Sequence, residues 1–499
     1  VYRLGCFLLA AALAAYGQVA KVAEQHVTAF TLANGLRVVV LERHQSPVVA
    51  LHTMVGGGSV NDPSGQTGLV SLLGRMQLKG SETVGSRDWA GEKQALDALD
   101  EARSRMEAER NKGILRNDEQ YGKLRTQWRL AVDAAQRYSD SAGYRRILTD
   151  AGAADIKAAS DYNAMDVSYT LPSNRLELWF SMEAQRLMHP VVRDFDQELS
   201  AVADEQNGDR AKPPARVLSS LLAAAFTAHP YRVPPAGWPS DVPELSRRRA
   251  QEFLEAHYVP GNIVMAMAGD VDPAEARRLA EKYLGPMPVR PMPPALHTVE
   301  PPQQGPRTVV LEQNGPVLLA AGYKRPDYYD KDDTALDVLS AILSNGKTGL
   351  AWQELVDDKK LVVSAQIVAT YPDGQYPNLF AFLLVPAPGH SVDDALKGLD
   401  GLLGRLRTQK MPPEVVSAAR NQLQSQIYQG LASNTTMARL LALHTWIFGD
   451  WKKMFTVVDD IGKITEDDVL RVTQRYFAPG NRTIVYTAIP GLPAKGSLP

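Results

Sequence analysis

The stretch GLVSLLGRMQLKG, residues 68–80, decides how the rest of the chain is read. Leu69, Leu72, Leu73 and Met76 recur at i, i+3, i+4 and i+7, the spacing that gathers apolar side chains on one face of a helix. Gly68 and Gly80 bracket the segment, and Ser71, Gly74 and Arg75 fall between its apolar positions. The sequence ahead of it is PVVAL at 47–51, an apolar strand, and then VGGGSVNDPSG at 55–65, a turn-rich lead-in.

Working outward, the strand signal returns as PVLLA at 316–320, 269 residues later. The ends repeat too. YVPGN at 258–262 precedes an apolar run, and FAPGN at 477–481 precedes another, 219 residues on. A Pro-Gly-Asn turn feeding a buried strand is the physical reading of both. The chain therefore divides into two related halves, expected at 24–284 and 308–491, across the Pro-rich linker 285–307, with about 50 extra residues in the first. Those residues lie at about 88–148, which lacks proline and carries helical stripes: Leu96, Leu99 and Met106, then Tyr121, Leu124, Trp128, Ala131, Ala135 and Tyr138. A helical hairpin turning near Asn111-Lys112-Gly113 is expected there, either as a lid or docking arm projecting from the body or as two core helices. Strand pairs such as 30–32 with 37–42 across Asn34-Gly35 point to antiparallel sheets covered by helices, an α+β class.

The frame of 68–80 resembles G-L-A-H-x-L-E-H-M-x-x-K-G, the inverted zinc motif H-x-x-E-H of the pitrilysin/insulinase (M16) metallopeptidases. Gly68, Leu69, Leu73, Met76, Lys79 and Gly80 keep the frame, while Ser71, Gly74 and Arg75 stand in place of the first histidine, the glutamate and the second histidine. The resemblance extends over 29–42, 55–65, 171–178, the block HPYRVPPAGWPSDV at 229–242, and 335–349 with 352–365. It implies a bacterial two-half member in a clamshell arrangement, each half built of two ferredoxin-like α/β units.

Carried over residue by residue, the resemblance puts the third zinc ligand at Glu205 and its supporting glutamate at Glu198. Both are equally readable as solvated helix-face carboxylates. The substrate-pairing edge strand falls at Lys157, Ala158, Ala159 and Ser160, and the arginine–tyrosine pair that holds the substrate carbonyl falls at Val356 and Val363. Catalytic zinc needs three good protein ligands and an open water position, and the base that activates that water is replaced by Gly74. No zinc or other cofactor is expected, and no catalytic residue. None of the nine histidines lies three or four residues from another, so no helix displays a ligand pair.

Composition bounds the rest. With 44% hydrophobic and 22% charged residues and a net charge of −2, the chain is an ordinary globular protein with no electrostatic footprint for nucleic acid. Arg3, the apolar run 4–15 and the small residues at 15 and 17 read as a signal peptide over 1–17, too short for a membrane span. Export to the periplasm is expected, and the single cysteine, Cys6, falls within that segment. Three functions compete: an inactive M16 subunit forming a heterodimer with an active H-x-x-E-H paralogue around a peptide chamber, a stand-alone peptide-binding scaffold, and an active zinc metalloendopeptidase with an unorthodox site.

Overall fold

The computed structural model describes residues 24–490, with side chains left aside at 209–211; the expected signal segment and Cys6 lie outside the described residues. Two sheets form the frame. The first contains β1 (Val27–Thr31), β2 (Arg37–Glu42), β3 (Val48–Gly56), β4 (Ala154–Ser160), β5 (Ala164–Pro172) and β6 (Ile263–Gly269), in the order β1-β2-β6-β3-β5-β4. The second contains β7 (Arg307–Glu312), β8 (Leu319–Arg325), β9 (Val362–Tyr371), β10 (Asn378–Pro386) and β11 (Arg482–Ala488), in the order β7-β11-β8-β10-β9.

The repeat is explicit in this topology. β2-β6-β3-β5-β4 and β7-β11-β8-β10-β9 share one pattern, a parallel pair followed by three antiparallel ones. The α/β units expected two per half share one continuous sheet in each half. β1 is the extra strand of the first, joined to β2 by the Asn34-Gly35 turn; Gly35 sits at φ 96, a left-handed conformation that glycine adopts without steric cost.

Each sheet is covered on one face by helices of its own half and on the other by a helix lent from the other half. Ile263, Met265 and Met267 of β6 face the first core, while Val264, Ala266 and Ala268 meet Met437, Ala438, Leu441 and Ala442 of the helix Asn434–Phe448. In return Leu221, Leu222 and Ala225 of the helix Pro213–Ala225 lie on Ala320, Ala381 and Val485 of the second sheet. Burial on both faces explains why β6 reads as a continuous apolar run rather than an alternating strand.

The long helices Trp89–Arg110 and Asp118–Gln136 form the hairpin, turning through Gly113. It does not project freely. The first helix lies along the body, with Glu92 paired to Arg193, Asp100 to Arg247 and Arg110 to Glu244. The helix Gly143–Asp150, which begins inside the expected 88–148 span, sends Tyr144 and Leu148 into the main core. A stripe of apolar residues does not distinguish packing on a sister helix from packing on a sheet, so the two merged in the sequence.

Candidate functional site

The quoted stretch folds as the helix Leu69–Met76, with Leu69, Leu72, Leu73 and Met76 buried. Its start is fixed from outside. Asp62 accepts from Gly68 N (2.7 Å) and Val70 N (2.9 Å), donors that a helix N-terminus leaves without intrahelical partners. Gly68 is at φ 94, and a Cβ there would stand 2.5 Å from Ala236 O. The glycine is required by both conformation and space.

Glu198 and Glu205 lie on the helix Phe195–Ala211, two turns apart, and both face Arg75. Arg75 Nη1 is 2.7 Å from Glu205 Oε2, and Arg75 Nε is 3.2 Å from Glu198 Oε2. The expected readings of these carboxylates as remnants or as free surface groups resolve into neither extreme: they are ion-paired across two helices. Lys79 adds a second cation, 2.9 Å from Glu198 Oε1 and 3.6 Å from Asp194 Oδ2. Burial works to raise the Glu198 pKa, but Lys79 and Arg75 outweigh it and hold the carboxyl below its ordinary value. Lys79 belongs to the retained frame, so its presence was legible; Asp194 carried no signal in the sequence.

These residues do not fit a zinc ion. The guanidinium of Arg75 occupies the carboxylates that would face the metal, and Ser71 offers only a neutral hydroxyl. Gly74 is closed off as well. A Cβ built there would lie 2.5 Å from Ser160 Oγ, 2.8 Å from Ser160 Cβ and 2.9 Å from Ser160 N, so the helix packs directly on β4 where a glutamate would need room. Among the described residues no three His, Cys, Asp or Glu side chains are grouped to hold a metal.

The strand carrying Lys157, Ala158, Ala159 and Ser160 is β4, an edge of the first sheet, paired on one side only, to Ser168, Val167, Asp166 and Met165 of β5. Gln77, which the sequence did not single out, ties the end of the motif helix to it, donating to Ala159 O (2.8 Å) and Asp166 O (3.1 Å). Gln77 Oε1 in turn accepts from Arg186, itself buried against Glu183 at 2.6 Å. In the second half Val356 packs against the core, and Val363 is half exposed on the edge strand β9. Neither side chain can donate a hydrogen bond.

Residues 244–423 match the family model described as Peptidase M16 inactive domain. Over these residues the chain is homologous to the M16 peptidases. It is 26% identical over 299 residues to a protein named zinc protease PqqE from Helicobacter pylori, across 59% of this chain and 66% of that one, just under two thirds of its length. Among solved structures, a protease from Helicobacter pylori superposes with a TM-score of 0.77 at 20% identity, covering 93% of this chain and 99% of that one. The periplasmic protease PqqL from Escherichia coli gives 0.68 at 12% identity, covering 93% and 47%. These likenesses confirm the fold. Among the described residues no helix is long and apolar enough to cross a membrane.

Proposed function

We propose that this chain is a metal-free, catalytically inactive M16 subunit that binds peptides and pairs with an active zinc-binding paralogue. The observation that carries the reading is Arg75, whose guanidinium takes both Glu205 and Glu198. A fixed internal cation supplies the charge those carboxylates need, so no metal is required to stabilise the frame. Peptide binding is supported by the open edge of β4, where an extended chain can add by backbone hydrogen bonds that demand no particular side chain. Residence in the periplasm belongs to the same proposal, supported by the apolar segment at 4–15 and by the named compartment of the PqqL neighbour.

A second reading is favoured by the lent helices. Because each half already covers the other's sheet within one chain, a stand-alone peptide-binding scaffold needs no partner to complete its fold. Co-expression with an H-x-x-E-H paralogue of similar length, followed by size-exclusion chromatography, separates the two. Co-elution at the summed mass supports the heterodimer; independent elution supports the scaffold. One zinc per chain with chelator-sensitive peptidase activity from this protein alone would overturn both.

A further inference from the structure

Where the two halves meet, a cavity of about 340 Å³ is lined by Tyr162, Arg216, Leu218, Leu222 and Trp238 of the first half and Tyr371 of the second. The volume falls in the ~300–1,000 Å³ range of small-ligand sites. One wall is fixed by Gln206, the residue after Glu205, which donates to Gly237 O at 2.9 Å and also to Ala236 O. The lining is mostly aliphatic and aromatic, with the prolines of residues 234–239 closing one side.

Arg216 is the exception. Arg103, Arg186, Arg193 and Arg325, the buried arginines among the described residues, each pair with a carboxylate. Arg216 is half-buried at the cavity wall, and among the described residues its guanidinium has neither an ion pair nor a hydrogen bond. Its nitrogens are open to the cavity and its charge is not taken up by a carboxylate of the described residues, so the planar fork of donors is available to an anion that enters. Tyr162 and Tyr371 line the same space, and their hydroxyls likewise lack a partner among the described residues. Burial raises both phenols above their ordinary pKa, so they present O–H donors and no negative charge.

We propose that this cavity binds an apolar group that carries a carboxylate, the apolar part against Leu218, Leu222 and Trp238 and the carboxylate on Arg216. Two sources share that chemistry: the C-terminus of a peptide ending in a bulky apolar residue, and a free aryl acid. The site is independent of strand addition on β4 and of any partner subunit.

The test is calorimetric titration of the full chain with three probes: acetyl-Leu-Phe with a free carboxylate, the same dipeptide as its C-terminal amide, and 3-phenylpropionate. The free acid is expected to bind at least about tenfold more tightly than the amide, the scale of a charge-assisted hydrogen bond. Arg216→Gln should abolish that preference while leaving amide affinity and thermal stability unchanged, and Arg216→Lys should keep part of it. Equal affinity for acid and amide in the unmodified protein, or no binding by either acid, overturns the proposal. Phenylpropionate matching the peptide acid assigns the site to free aryl acids; a much weaker phenylpropionate assigns it to peptide C-termini. Peptides held only by backbone pairing on β4 would not distinguish acid from amide, so failure here leaves strand addition standing.

Discussion

Arg75 and Glu205 meet at 2.7 Å, joining the motif helix to the carboxylate helix. The pair faces solvent, with side chains 43% and 55% exposed, so its own contribution is small. Glu198 is more enclosed and shared by Arg75 and Lys79. Glu205→Gln is expected to cost about 0.5 kcal/mol, and Glu198→Gln about 1–3 kcal/mol. Urea denaturation measures both, and an inverted order would show that the outer contact, not the inner one, holds the helices.

Gly74 is a packing requirement. Its missing side chain lets the helix rest on Ser160, backbone included. Gly74→Ala should destabilise by about 1–3 kcal/mol through overpacking, although alanine favours helix. Ser160→Gly in the same chain should recover part of the loss. A Gly74→Ala protein melting at or above the parent temperature refutes the contact.

The lent helices tie the halves. Leu221 is fully buried against the second sheet, and Leu441 is its counterpart on the first. Leu221→Ala and Leu441→Ala should each cost about 2–5 kcal/mol and raise protease sensitivity in the linker at 285–307. Loss of stability without new cleavage there would mean that the halves stay closed by other contacts.

Glu300, in that linker, accepts from the backbone N–H groups of Thr227, Ala228 and His229 at 2.9–3.0 Å, with Lys324 at 3.3 Å. Burial works to raise its pKa, but these donors prevail and hold it at about 2, below its ordinary 4.5. A carboxyl depressed in the folded state stabilises fully above its unfolded pKa, and the contribution is lost as pH falls from about 4.5 towards about 2. We expect Glu300→Gln to cost roughly 2 kcal/mol at pH 7 and to flatten the acid limb of the stability curve. A variant with the parent's pH profile would show that Glu300 does not carry this linkage.

The sequence alone determined the duplication, the inserted hairpin and the degenerate frame at Ser71, Gly74 and Arg75. Each is written in local signals: proline-bounded strands, Pro-Gly-Asn turns, helical spacing and residue types that either can or cannot hold a metal. The family resemblance put Arg75 and Glu205 at positions of one frame, and the fold brings the two side chains together. Tertiary structure decided what depends on approach between distant segments. It set Ser160 against Gly74, Gln77 on β4, Asp194 beside Lys79, and the hairpin along the body rather than away from it. It also set which helix covers which sheet, since an apolar helix face specifies that it must be buried but not against which partner. The cavity around Arg216 is of the same kind: an arginine's charge is local, but which of the described side chains stand beside it is decided by the fold.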